Sequence, residues 1–434
     1  MRRRGARAGP RGPPTAPRRS SEDLLMSDHS IRSPASPPGP LVTAAVLLLA
    51  AMTVMANATI SPSLPGLRNH YAGMPGIETL AGLVVTLPSL AVVLTASLMG
   101  WLADRADRQR LLLASGLLYA IGGTSGLWVD GLTGLLVGRL VLGVGLAGTM
   151  VLATTWSADL WLGAARTRFL GWQGAATSAG GVVVILLGGA LAALHWRGAF
   201  ATYLLVVPVT LLALWALAPY ARSRGVAARA VAGNADVADS RAEPFPWRVA
   251  SFVGTLAFLL VATFYAIPTR LPFLLGEVGL TDPLLIGVVS ALVTLTALPG
   301  ALAYGRMRRQ VSAMTIFALS WSVMGLGMEV LAVAPSVTVM ALGVALVGLG
   351  MGPAIPNHMA TLMAAVPAAS RGRASALMTV ALFGGQFASP LLTGSLLAAF
   401  DLRGAFAALA VLQFALGVAL ATAALRERDR PALA

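Results

Sequence analysis

The side chains in this sequence that could do chemistry are single ionisable or amide groups set inside long apolar segments. Arg139 and Glu329 are charged, and a charge in an apolar segment usually marks a substrate or proton pathway. His358 could titrate near neutral pH. Four uncharged residues could line a polar cavity or bond to a neighbouring helix: Asn57, Gln173, Asn357 and Gln386.

Each of these residues also has a structural interpretation. Arg139 could reach the membrane surface with its long stem, and Glu329 could lie at the membrane edge. We expect Arg139 to act in a pathway, whereas Arg270, near the end of its segment, is expected to snorkel to the surface. Five aromatic residues could stack on a planar substrate or anchor a helix at the interface: Trp156, Trp172, Phe264, Tyr265 and Phe383.

Most enzyme chemistry is excluded. The chain has no cysteine, its four histidines have no metal-ligand spacing, and it lacks a phosphate-binding loop, catalytic-triad spacing and paired carboxylates. We therefore predict no enzymatic activity, no metal and no cofactor. The net charge of +14 does not indicate nucleic-acid binding, because the arginines are spread between apolar segments rather than over one face.

The elements that position these residues are apolar helices. Of the 434 residues 57% are hydrophobic and only 11% charged, whereas soluble proteins carry about 25% charged residues. About 20 apolar residues cross a bilayer as a helix. The sequence therefore predicts an all-α integral membrane protein with twelve transmembrane helices, near residues 41–64, 79–101, 111–129, 133–156, 169–193, 199–219, 249–273, 283–304, 312–333, 336–361, 374–398 and 403–425.

Arginine supplies all 31 basic residues and predicts the orientation. With both termini in the cytoplasm, every arginine lies in a cytoplasmic segment except Arg68, Arg139, Arg197, Arg270 and Arg403. The absence of lysine indicates a GC-rich bacterial genome, so we expect a multi-pass protein of the bacterial inner membrane.

Two polar stretches divide the chain into regions. We predict a disordered basic tail over 1–39, six-helix halves over 40–219 and 248–425, a cytoplasmic linker over 220–247 and a short tail over 426–434. Both Met1 and Met26 are possible starts.

The two halves repeat a pattern of residues. The segment from Gly100 to Arg108 aligns with 300–308, and Gly143 and Gly145 align with Gly348 and Gly350. Two pseudo-symmetric halves of six spans indicate an internally duplicated transporter.

These motifs resemble those of the major facilitator superfamily over about residues 41–425. The pattern Gly100-x-Leu-Ala-Asp104-Arg105-x-x-Arg108 is similar to the family signature between spans 2 and 3, and Arg139-x-x-x-Gly143-x-Gly145 is similar to its span-4 motif. The resemblance implies the family fold, a central site between the halves, and a role for Arg139 in proton coupling or substrate binding.

The resemblance also implies a conformational latch. Gly100 would let span 2 approach another helix closely, and Asp104, beside Arg105, would face the start of span 11 near Arg373. Arg108 could pair with an acid at the end of span 4, where Asp159 is the candidate.

We expect a monomeric secondary transporter that works by alternating access and exports a small organic molecule or drug in exchange for protons. Two alternatives stay open. Span 1 lacks a carboxylate, and Val184-Ile185 replaces the Gly-Pro of the span-5 antiporter motif, which favours uptake or facilitated exchange of a metabolite. A membrane sensor or assembly protein without transport is the alternative of another class.

Overall fold

The computed structural model describes residues 38–220 and 244–428, and no β-strand occurs in these ranges. It contains the predicted twelve helices that are long and apolar enough to cross a membrane. They are α1 (Pro40–His70), α2 (Ile77–Arg105), α3 (Arg108–Trp128), α4 (Leu132–Leu160), α5 (Gly163–Leu194), α6 (Trp196–Tyr220), α7 (Trp247–Glu277), α8 (Pro283–Gln310), α9 (Ala313–Val333), α10 (Val337–Ala365), α11 (Arg371–Ala399) and α12 (Leu402–Arg426). The predicted tails and linker lie largely outside the described residues, so their boundaries stay predictions.

The first helix of each half is interrupted. Helix α1 consists of Pro40–Ala58, a 3-10 turn at Ser61–Ser63 and Leu64–His70, and α7 consists of Trp247–Phe264 and Ala266–Glu277. Proline at 62 and 268 removes a backbone donor at each break. The two breaks meet, because Ser61 Oγ donates a hydrogen bond to the carbonyl oxygen of Pro268 at 2.6 Å. Neighbouring groups that satisfy a freed carbonyl are what make a broken helix tolerable in a membrane.

The paired glycines of the sequence repeat have matching places in the two halves. A side chain at Gly143 would overlap the backbone of α2, and one at Gly145 would overlap the backbone of α3. In α10, a side chain at Gly348 would overlap α8 and one at Gly350 would overlap α9 in the same way. The duplication seen in the sequence is therefore a duplication of helix packing, in which small residues allow backbones to approach closely.

The halves touch each other through α2 against α11 and α5 against α8. These contacts lie toward one face of the membrane, where Gly82 packs on Pro390 and Gly189 packs on Pro283. We call this the arginine-poor face, and we call the face that carries Arg105–Arg110, Arg166–Arg168, Arg306–Arg309 and Arg371–Arg373 the arginine-rich face.

The halves separate toward the arginine-rich face. Five glycines of α2, α5, α8 and α11 near this face have no atom of another element within 4 Å of a built Cβ: Gly100, Gly171, Gly174, Gly305 and Gly372. The cleft between the halves is thus open at the arginine-rich face. Toward the arginine-poor face helix contacts close it beneath an outer pocket of about 850 Å³, which residues of both halves line.

The expected close approach at Gly100 is absent from this conformation. The physical reason is the divergence of α2 and α11, whose contact begins nearer the arginine-poor face, at Gly82 and Pro390. A close contact at Gly100 would require the arginine-rich face to close.

Candidate functional site

A cavity lies between the two halves and has two adjoining parts of about 350 and 270 Å³. Both parts are lined by Val54, Thr177, Tyr265, Phe383 and Gln386. Residues of both halves therefore share one site, as expected of a small-molecule cavity between helices.

Three of the polar residues predicted from the sequence meet at this cavity. Asn57 and Gln173 line the smaller part, and Gln386 lines both parts. The aromatic residues Phe264, Tyr265 and Phe383 line the larger part. An amide-rich and aromatic lining can hydrogen-bond a ligand and stack on its planar surface.

Hydrogen bonds across the halves close the cavity toward the arginine-poor face. The Oε1 atom of Gln386 accepts from Asn57 Nδ2 at 3.0 Å and from Ser89 Oγ at 2.6 Å. Sequence reasoning missed Ser89, because a lone hydroxyl in an apolar helix usually bonds within that helix. The neighbouring Pro88, a proline inside α2, was the available signal.

Arg270 forms hydrogen bonds that contribute to the same closure, so the prediction that it snorkels to the surface is wrong. Its side chain is only 2% exposed. Nη1 donates to the carbonyl oxygen of Glu78 in the other half at 3.0 Å, and Nε donates to Thr393 Oγ1 at 3.0 Å. The guanidinium turns inward because two carbonyl acceptors lie there, those of Glu78 in α2 and Pro390 in α11.

Arg139 is fully buried inside the N-terminal half, so it does not reach the membrane surface. Its guanidinium carbon lies 4.7 Å from the ring centroid of Tyr203 and 5.2 Å from that of Phe200. Its three guanidinium nitrogens have no hydrogen-bond partner among the described residues. Cation–π contact with two rings partly offsets the desolvation of this charge.

Two tyrosines beside Arg139 contact the side of α1 that faces away from the cavity. Tyr119 and Tyr203 donate their hydroxyl hydrogens to the carbonyl oxygens of Met52 at 2.7 Å and Ala56 at 3.0 Å. These two carbonyls belong to the stretch of α1 that also presents Thr53, Val54 and Asn57 to the cavity. The charged group thus lies one layer behind the cavity wall.

At the arginine-rich face, Arg108 and Asp159 form the ion pair that the sequence suggested. Nη1 of Arg108 lies 2.6 Å from Oδ2 of Asp159, with side chains 6% and 16% exposed. Asp104 is exposed and takes part in none of the three ion pairs of the described chain, and Arg105 stacks over Trp101. A latch that includes Gly100, Asp104 and Arg105 stays a prediction for the opposite conformation.

Replacing Asp159 by asparagine is expected to lower the thermal midpoint of the purified protein. The change leaves the largely buried Arg108 without its carboxylate, and a hydrogen bond to a charged group contributes about 2 kcal/mol. Asp104→Asn, the same change at an exposed position of this face, should leave the midpoint unaltered. Fluorescence-detected unfolding in detergent measures both, and equal midpoints for the two variants would contradict a structural pair.

Three predicted pathway residues do not reach the cavity. Glu329 is half-buried in α9, which contributes no residue to the cavity lining. Asn357 donates through Nδ2 to the carbonyl oxygen of Ala313 at 3.0 Å, and His358 packs edge-on against the Phe317 ring. Both belong to the contact between α9 and α10, so the helix-bonding interpretation fits these two side chains.

Two predicted aromatic residues also lie elsewhere. Trp156 is fully buried within the core of the N-terminal half, and Trp172 is 61% exposed. Sequence reasoning missed a buried bond in the other half, where Gln413 Nε2 donates to Thr263 Oγ1 at 2.8 Å.

Loops tie the N-terminal half together at the arginine-poor face. Tyr71 donates its hydroxyl hydrogen to the carbonyl oxygen of Asp130 at 2.6 Å, and Arg197 pairs with the Asp130 carboxylate at 2.8 Å. Burial raises the pKa of the Tyr71 phenol, so it stays protonated as a donor. These bonds lie within one half and leave its movement against the other unhindered.

Curated relatives of the chain include tetracycline resistance proteins. The class H protein of Pasteurella multocida is 29% identical over 146 residues, which are 34% of this chain and 36% of that protein. The class C protein of Escherichia coli is 33% identical over 146 residues, 32% of this chain and 35% of that protein. The chain therefore matches about a third of the length of these relatives.

Solved transporters share the fold over nearly their whole length. A D-xylose–proton symporter matches with a TM-score of 0.69 and 15% identity, covering 88% of this chain and 96% of that one. A peptide transporter matches with a TM-score of 0.68 and 15% identity, covering 88% and 94%. Identities this low establish the fold alone.

The family model named Major Facilitator Superfamily matches residues 46–319 and 256–434, which together span both halves. This match agrees with the twelve helices, the duplicated packing and the cavity between the halves. The chain therefore belongs to the Major Facilitator Superfamily, and the prediction of a membrane transporter rather than an enzyme is confirmed.

Proposed function

We propose that this transporter exports a small organic molecule across the bacterial inner membrane by alternating access, in exchange for protons. The observation that carries the proposal is the asymmetry of the cleft, which is open at one face and closed at the other. The closure depends on a few directional hydrogen bonds, such as those from Arg270 to Glu78 and from Asn57 to Gln386. Such bonds can break and re-form as the halves rock.

The arginine-rich face is assigned to the cytoplasm. The positive-inside rule supports this orientation, since four of the loops and helix ends on that face carry clusters of arginine. The conformation described here would then be open to the cytoplasm and ready to take up an export substrate. The polar lining of the cavity would meet that substrate from the inside.

Export is favoured over import by the relatives. Tetracycline resistance proteins match about a third of the chain at 29–33% identity, and resistance to a drug is consistent with its removal from the cell. The amide and aromatic groups of the cavity suit an organic molecule with hydrogen-bonding groups and a planar part.

Facilitated exchange without protons is the second candidate, and one observation favours it. Among the described residues, the lining of the cavity contains no carboxylate. In the proton-coupled version, the proton therefore binds outside this lining.

Transport into everted membrane vesicles separates these functions. Vesicles from an exporter-deficient bacterial host, with the transporter or with empty vector, are energised and given labelled tetracycline, chloramphenicol, D-xylose or a dipeptide. We expect accumulation of at least one compound above the empty-vector level, abolished by an uncoupler. Accumulation that only equilibrates and ignores the uncoupler would replace proton exchange by facilitated exchange. An absence of transport for all compounds in either vesicle orientation would contradict the proposal.

A further inference from the structure

A second pocket lies within the C-terminal half, at the arginine-rich face. It has a volume of about 460 Å³ and is bounded by the beginning of α7, the end of α8, the beginning of α9 and the end of α10. None of its lining residues lines the cavity between the halves, so the proposed substrate site does not account for it. We call it the α7–α9 pocket, and its lining includes Arg248, Val249, Phe252, Arg308, Ser312 and Phe317.

The α7–α9 pocket lies on the outer side of α7, beside α12. Gln413 of α12 bonds to Thr263 of α7, and Phe252 lies on the same face of α7 as Thr263, because eleven residues complete about three turns. Toward the arginine-rich face α12 follows α9 instead, and no residue of α12 lines the pocket. In the N-terminal half, by contrast, α6 packs against both α1 and α3. The divergence of α12 from α7 thus leaves a space that opens toward the bilayer.

The mouth of the α7–α9 pocket is positively charged. Arg248 and Arg308 line it, both are exposed, and neither takes part in the three ion pairs of the described chain. The described carboxylate side chains of this half all lie toward the arginine-poor face: Glu277, Asp282, Glu329 and Asp401. Among the described residues, the lining therefore carries two positive charges and no negative charge.

The wall below the two arginines is apolar. Val249 and Phe252 are 38% and 41% exposed, and Phe317 is buried behind them. Phe252 lies one helical turn beyond Arg248, which is about 6 Å deeper along the axis. Trp247, 63% exposed, precedes Arg248 at the depth where tryptophan anchors a helix in the membrane interface. Charge at the membrane surface with an apolar wall one turn below it matches the order of groups in a phospholipid.

We propose that the α7–α9 pocket binds one anionic phospholipid of the leaflet at the arginine-rich face. Its phosphate lies between Arg248 and Arg308, and an acyl chain lies along Val249 and Phe252. Guanidinium groups suit phosphate, because they offer two parallel donors to its oxygens. Basic pockets between transmembrane helices on the cytoplasmic side are a known form of lipid headgroup site. A headgroup that carries an amine would bring a positive charge against both arginines and bind more weakly.

Two lipids with the same acyl chains test the inference. The purified, delipidated full chain in detergent is titrated with phosphatidylglycerol or phosphatidylethanolamine, and native mass spectrometry counts the lipids bound. We expect the first phosphatidylglycerol to bind at least about tenfold more tightly than the first phosphatidylethanolamine. Glycerol 3-phosphate and inorganic phosphate distinguish a lipid site from a site for a soluble anion. Both should bind at least about tenfold more weakly than phosphatidylglycerol, because they lack acyl chains.

Paired variants locate the binding. Arg248→Gln with Arg308→Gln should bind the two lipids equally, and each single variant should lose part of the preference, which also serves if the double variant folds poorly. Arg248→Lys with Arg308→Lys keeps both charges and should keep most of the preference. Arg166→Gln with Arg168→Gln is the matched control. It removes two exposed arginines from the same face of the N-terminal half and should leave the preference unchanged.

Equal binding of the two lipids to the unaltered chain would overturn the inference. An equal loss in the control variant would also overturn it, since attraction to the whole face would then explain the preference. Phosphate that binds as tightly as phosphatidylglycerol would make the pocket a site for a soluble anion. Lipid binding that appears only after Asp236, Asp239 and Glu243 are neutralised would make the chain's own linker the occupant. None of these outcomes depends on the proposed transport function.

Discussion

Replacing Arg270 by glutamine is expected to open the arginine-poor face at least about tenfold more often than in the unaltered protein, because one charged hydrogen bond between the halves is lost. The lost bond is the one from Nη1 to the carbonyl oxygen of Glu78. A shorter neutral amide cannot reach across the halves from the position of the guanidinium. Transport should fall as well, since the conformation open to the arginine-rich face is less populated.

A single engineered cysteine measures this opening without background, because the chain has no cysteine of its own. Ser290→Cys places the thiol in the cavity lining, at a residue 5% exposed. With the arginine-rich face in the cytoplasm, a membrane-impermeant maleimide added to intact cells reaches this thiol only through the arginine-poor face. We expect faster labelling of Ser290→Cys when Arg270→Gln is present.

Arg403→Gln is the matched control. Arg403 pairs with Glu277 at 3.1 Å and donates to the carbonyl oxygen of Ala334 at 2.9 Å. All of these contacts lie within the C-terminal half, so their loss should leave the labelling rate unchanged. Equal labelling rates for Arg270→Gln and Arg403→Gln would show that Arg270 does not contribute to the closure.

Arg139→Met is expected to separate transport from stability. Methionine fills most of the space of arginine without a charge, and apolar replacement of a buried charge is often neutral or stabilising. The thermal midpoint should therefore stay the same or rise. Transport should fall at least about tenfold, because the guanidinium that holds the rings of Phe200 and Tyr203 behind α1 is gone.

Two further variants sharpen the result for Arg139. Arg139→Lys keeps the charge but not the planar stacking group, so it should recover only part of the transport. Arg197→Met removes a stacked arginine from the surface of the same half, over Trp196 at 5.1 Å, and should leave transport intact. A stable Arg139→Met protein with full transport would show that Arg139 only fills space.

The fold was largely predictable, because the apolar segments and the positions of the arginines indicate which parts of the chain cross the membrane. Long apolar runs and the arginine distribution predict twelve helices, and the repeated glycines at 143, 145, 348 and 350 predict close helix contacts. The Arg108–Asp159 pair followed from one arginine in a family motif and one acid at the end of span 4.

The site was only partly predictable, because uniformly apolar helices do not reveal which side faces a neighbour. Asn57, Gln173 and Gln386 face the cavity, whereas Asn357 and His358 are similar polar residues that face α9. Arg270 was mistaken for a surface residue because its distance from the end of the helix fits snorkelling. The packing of α2 and α11 around Arg270, which supplies the carbonyl oxygens of Glu78 and Pro390, is a tertiary feature.

The central claim, that the closed face must open in each transport cycle, is tested most directly by a reversible cross-link. A Cβ built at Gly394 lies 3.6 Å from the Cβ of Thr79 in the other half, within the range of about 3.5–4.5 Å that a disulfide requires. Thr79→Cys and Gly394→Cys together should form a disulfide under mild oxidation. Transport in vesicles should then stop and return on reduction, while each single variant transports with or without oxidant. Fully cross-linked protein that still transports at the unaltered rate would contradict alternating access through this face.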